Sequence, residues 1–219
     1  MRLGKTDDTA PLPAGRGGAV SSVICQPGPE HALNIIIAST LLVALAEIGD
    51  KTMLLAIILA ARFRAPGQII AGIFAATIVN HALAAWAGSA ISGLLDGYWF
   101  RLAVAIGFLG MAAWILIPDG IDESEAVAPS RHGVLITTVI AFFMAEMGDK
   151  TQIATVALGA RYHAVELVAI GTTLGMMAAN VPAVFLGDRI TRIVPMRIMR
   201  IAAAILFAIL GGLALRELL

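Results

Sequence analysis

The sequence predicts an all-α membrane protein of six transmembrane helices, arranged as two inverted three-helix repeats, and three observations carry that prediction. First, 59% of the 219 residues are hydrophobic and 14% are charged, with a mean hydropathy of +0.89, far more apolar than an average soluble domain. Second, six apolar runs reach the roughly 20 residues a bilayer crossing requires. Third, Glu47-Ile48-Gly49-Asp50-Lys51-Thr52 recurs as Glu146-Met147-Gly148-Asp149-Lys150-Thr151.

In chain order, residues 1–32 read as a disordered tail: rich in Gly, Pro, Ser and Thr, without an apolar core, and without a cleavage pattern following a hydrophobic run. The six spans fall at about 33–61, 67–90, 99–117, 133–160, 165–187 and 198–216. The breaks between them carry turn chemistry: Arg64-Ala65-Pro66-Gly67, Asp96-Gly97, Pro118-Asp119-Gly120, the stretch 161–163, and 188–197 with its Pro195. Residues 118–132, with Asp122, Glu123 and Glu125, form the one true linker and divide the chain into a first repeat over 33–117 and a second over 133–219.

A shift of 99 positions superposes the two hexapeptides and also Arg62 on Arg161, Gly72 on Gly171, Gly88 on Gly187, Arg101 on Arg200 and Phe108 on Phe207. One gap-free offset held across three helices marks a duplicated unit. Because three is odd, the second copy enters the membrane from the opposite side, as in the inverted repeats of secondary transporters, whose sites lie near the midplane. Arg62, Arg64, Arg131, Arg189, Arg192, Arg197 and Arg200 lie on one side, against Arg101, Arg161 and Arg216 on the other. The positive-inside rule makes the first side cytoplasmic and puts both termini outside, in a cell (inner) membrane, with Lys5 and Arg16 as weak opposition.

Zero net charge leaves no basic surface for nucleic acid, and the lone Cys25 excludes an intrachain disulfide or a Cys-based zinc site. The chemistry therefore sits in the hexapeptides. Each lies halfway along an apolar stretch, where an Asp or Lys costs about 3 kcal/mol. On a helix, Glu47 and Asp50 share a face, as do Glu146 and Asp149, so a pseudo-twofold packing brings four carboxylates to one oxygen cage for a hard divalent cation. Gly49 and Gly148 permit close approach or local unwinding that exposes backbone carbonyls. Like charges in a low-dielectric pocket cannot all stay ionised without a cation, so metal and protons compete.

Other readings stand beside this one. Glu47 with Lys51 at i, i+4 could be a structural ion pair; Lys51 and Lys150 either pair with carboxylates or snorkel away. Thr52, Thr151 and Gln152 could supply neutral oxygens or serve as interhelical glue, and Asn80 and Asn180, one position out of register, could be ligands or helix-helix hydrogen bonds. His81 could relay protons, against a plain packing role. The rival functions are a small-solute exporter of the amino-acid type, a membrane enzyme using the paired acids, and a non-transporting assembly factor.

Two Glu-x-Gly-Asp-Lys/Arg-Thr/Ser motifs, in the first and fourth of six helices, resemble the Gdt1 family of cation exchangers, which includes bacterial manganese exporters and Golgi members. The resemblance spans about residues 33–217. It implies transport of Mn²⁺ or Ca²⁺ in exchange for protons, with Glu47, Asp50, Glu146 and Asp149 as the ion site. The metal is then substrate, with no resident cofactor, and the lipid bilayer is the obligate partner; whether copies form a homo-oligomer is left open.

Overall fold

The structure, a computed structural model, describes residues 28–95, 97–117, 133–187, 189 and 195–218. Most of the expected tail and all of the 118–132 linker lie outside them. Among the described residues there are eight helices rather than six: α1 Pro29–Glu47, α2 Lys51–Phe63, α3 Pro66–Leu94, α4 Tyr98–Trp114, α5 Gly133–Glu146, α6 Lys150–Tyr162, α7 Val165–Leu186 and α8 Met196–Arg216. The two additional helices arise because the apolar runs 33–61 and 133–160 are each interrupted at the hexapeptide. The first helix also begins inside the expected tail, because Pro29 at its first turn has the fixed φ a helix start favours and no N–H to leave unpaired.

The halves repeat in backbone detail. Gly49 and Gly148 have φ of 86° and 79°, a region that only glycine enters without strain. Asp50 and Asp149 follow in extended conformation as the N-caps of α2 and α6, each 13 residues long. Those two helices end alike, on left-handed Arg64 and His163. Packing repeats as well: α1 lies on α7 as α5 lies on α3, α6 on α3 as α2 on α7, and α3 meets α7 while α4 meets α8. Phe108 and Phe207, equivalent under the 99-residue shift, face each other with ring centroids 6.4 Å apart.

Many large apolar side chains face outward, and polar ones are buried within a largely apolar interior. Leu33, Ile37, Phe74, Trp86, Ile140 and Phe185 are exposed, whereas Ser39, Glu47, Thr77, His81, Glu146 and Asn180 are fully or almost fully buried. Four helices, α1, α3, α7 and α8, are long and apolar enough to cross a membrane on their own. Extensive exposed apolar surface of this kind is stable in hydrocarbon and would aggregate in water.

Candidate metal site at the paired helix breaks

Each hexapeptide folds as a break for a local reason. The positive φ at Gly49 and Gly148 turns the chain out of the helix, and the amides of Asp50 and Asp149 close short turns onto the carbonyls of Glu47 (3.0 Å) and Glu146 (3.1 Å). Glu47 and Glu146 thereby become the last residues of α1 and α5, where helix carbonyl ends carry partial negative charge that favours a cation. Asp50 and Asp149 stand at the starts of α2 and α6, and neither side chain caps its own helix.

The break corrects one expectation. Glu47 and Asp50 do not converge by sharing a helix face, and the i, i+4 spacing of Glu47 and Lys51 does not apply across it. Convergence comes instead from opposite halves of the chain: carboxylate oxygens of Glu47, Glu146 and Asp149 all lie within 4.8 Å of one another, and all three residues are buried. The cluster is thus of three acids rather than four. Asp50 is buried too, at 7% exposure, but stands outside it. Among the described residues, Glu47 Oε1 and both Glu146 oxygens accept no hydrogen bond, an arrangement costly in a protein interior and one that a bound cation would relieve.

The neighbours divide between the site and its frame. Thr52 donates its hydroxyl to Glu47, and Thr151 donates to Asp149 Oδ2 at 3.1 Å. Each threonine therefore orients an acid. Gln152 does not face the cluster through its oxygen, because Oε1 accepts the Gly148 amide at 2.7 Å and caps the break. Lys150 turns away to the carbonyl of Ile117 (2.8 Å) and lies 5.8 Å from the Trp114 ring centroid, while Lys51, half-buried, remains within electrostatic reach of Glu146. Asn80 is interhelical glue, donating to the Phe143 carbonyl at 3.2 Å. Asn180 donates back to the Met176 carbonyl at 3.1 Å, leaving its fully buried Oδ1 without a partner among the described residues. Sequence reasoning missed Arg200 as a member of the frame: its Nη2 approaches the Gly49 carbonyl at 3.4 Å. The only advance signal was its pairing with Arg101 under the repeat.

Helical among its described residues, with apolar side chains outside and acids gathered at a pair of helix breaks, the chain fits the class of integral membrane proteins that carry ions. Its sequence matches the family described as "Divalent cation/proton antiporter GDT1" over residues 35–123 and 134–219, and the chain belongs to that family, a family of transporters rather than enzymes. It is 48% identical over 190 residues to a protein of Vibrio cholerae serotype O1 named "Putative manganese exporter", covering 86% of this chain and 94% of that one. A GDT1-like protein of Synechocystis is 27% identical over 80% of this chain and 93% of its own, and GDT1-like protein 3 of Oryza sativa subsp. indica is 25% identical over 78% and 70%. No solved structure matches.

Proposed function

We propose that this protein exports Mn²⁺, or exchanges Mn²⁺ or Ca²⁺, for protons by alternating access, with the ion held by Glu47, Glu146 and Asp149. The single observation that carries this is the convergence of three buried, under-bonded carboxylates from both hexapeptides. Manganese is favoured as cargo by the name of the Vibrio relative. The three acids would repel an amino-acid carboxylate, which disfavours the small-solute exporter. In this reading α1 with α2, and α5 with α6, act as discontinuous spans, giving six spans in two inverted halves with both termini outside. Tail, repeats and linker keep the bounds 1–32, 33–117, 118–132 and 133–219.

The asymmetry of the cluster gives the exchange a form. Swapping the halves turns Glu47, Glu146 and Asp149 into Glu146, Glu47 and Asp50. The two glutamates stay with the ion in both states, while Asp149 serves one state and Asp50 the other, so Asp50 is a ligand of the oppositely facing conformation. Protons take the carboxylates as the ion leaves.

Proteoliposomes containing a lumenal pH indicator test this. With the lumen acidic, external Mn²⁺ is expected to accumulate against its gradient while the lumen becomes more alkaline, Ca²⁺ to follow more slowly, and Mg²⁺ least. Metal entry without a pH change would reduce the protein to a uniporter or channel.

A further inference from the structure

We infer that His81 supplies a nitrogen donor to the ion that Glu146 holds, making this a mixed nitrogen-oxygen site that favours manganese over calcium and magnesium. The inference rests on the reading of the acid cluster as a cation site and narrows its cargo.

His81 lies in α3, which packs against both α5 and α6, the helices that meet at Glu146 and Asp149. The imidazole is fully buried, with Nε2 3.5 Å from Glu146 Oε2. Neither ring nitrogen makes a hydrogen bond among the described residues, and neither does either oxygen of Glu146. A histidine kept only for packing at membrane depth would bond to a helix carbonyl, as Asn80 and Asn180 both do through their amides. His81 stands beside Glu146 rather than among the three acids, so it approaches the ion from the Glu146 side.

The spacing suits a shared ion. Donors roughly 2.1 to 2.4 Å from a divalent cation lie roughly 3.0 to 3.4 Å apart when adjacent in an octahedron. The 3.5 Å contact matches that spacing at Glu146, and His81, which stands outside the 4.8 Å group of the three acids, must shift towards Glu47 and Asp149 to share their ion. The repeat sharpens the point, because the 99-residue shift places Asn180 where the first half has His81. One half thus offers an amide and the other an imidazole at the same station, although the acids are duplicated. Calcium and magnesium take oxygen donors almost exclusively, whereas transition ions also accept imidazole nitrogen, so this one substitution tilts the site away from calcium and magnesium while the acids keep it suited to manganese, the most oxygen-tolerant of the first-row ions.

Pulsed electron paramagnetic resonance on Mn²⁺-loaded wild-type protein tests this directly. We expect nitrogen modulation from an inner-sphere histidine that changes to the ¹⁵N pattern when histidine is isotopically labelled and vanishes in His81→Asn. That variant should also lower the ratio of Mn²⁺ to Ca²⁺ transport about tenfold, whatever its effect on the absolute rates. Bound Mn²⁺ without histidine modulation in the wild type, or His81→Asn retaining both modulation and ratio, would overturn the inference and leave the acid site standing. Failure of the wild type to bind Mn²⁺ at all would overturn the acid site and the inference with it. The isotope arm uses the unmodified chain and reports an inner-sphere histidine even if His81→Asn does not fold; of the chain's four histidines, His81 is the one the structure places against an acid of the cluster among the described residues.

Discussion

Glu146→Gln is expected to lower metal transport about a hundredfold or more while leaving the folded protein as stable as the wild type, or more so. The amide keeps the side chain's size and removes the charge a divalent cation requires. Stability does not fall, because Glu146 is fully buried among other carboxylates and accepts no hydrogen bond among the described residues. Asp149 repels a charge on Glu146 more strongly than Lys51 attracts it, so removing that charge is neutral or stabilising. Glu47→Gln and Asp149→Asn should behave alike, and Asp50→Asn should fail as well if Asp50 serves the opposite state. Paired substitutions should be little worse than single ones, since residues acting as a unit are not additive. Flux assays and detergent melting on the same preparations check this. The structural ion-pair alternative predicts instead that Glu47→Gln lowers stability and that adding Lys51→Met restores both stability and transport.

The second large effect is mechanical. A methyl group at Gly88 would lie 2.0 Å from the Val156 carbonyl oxygen, and one at Gly159 would lie 2.3 Å from that of Ala85. Both clashes are with backbone, so α3 and α6 would have to separate. Gly88→Ala and Gly159→Ala should each cost about 3 kcal/mol, at the upper end of overpacking effects. Because α6 begins just after Asp149, its displacement should also cut transport. Gly93→Ala is the control: it lies in the same helix, nothing stands within 4 Å of the added methyl, and helix propensity predicts a neutral or slightly favourable change. Melting temperatures that fall equally for Gly88→Ala and Gly93→Ala would contradict this close crossing.

The outer edges of the helices were largely legible in the sequence, because hydropathy and turn residues report where a chain must leave hydrocarbon. The apolar run 67–90 became Pro66–Leu94, and 165–187 became Val165–Leu186. The breaks were not legible by the same signal. Averaged hydropathy carries one run across 33–61 despite Glu47, Asp50 and Lys51, and the turn itself lies in the positive φ of Gly49, a backbone property. The identity of the hexapeptides pointed to the acids but concealed their inequality: two matching motifs cannot reveal that Asp149 joins the glutamates while Asp50 stands apart. Gln152 illustrates a different limit, since its side chain offers the same oxygen whether it meets an ion or, as here, the Gly148 amide. His81 could be seen to lie deep in a span, yet its neighbour Glu146 comes from the other half of the chain, a pairing that only packing reveals.

The account stands or falls on whether the ion displaces protons from these acids, and calorimetric titration of Mn²⁺ into the purified protein, in buffers of different ionisation enthalpy and at several pH values, measures that most directly. Carboxylates must be deprotonated to bind metal, so affinity should fall as the pH is lowered, by about tenfold per pH unit for each proton coupled, with proton release on binding that disappears in Glu146→Gln as binding itself is lost. Mn²⁺ binding of constant affinity across pH, with no proton released, would contradict the account.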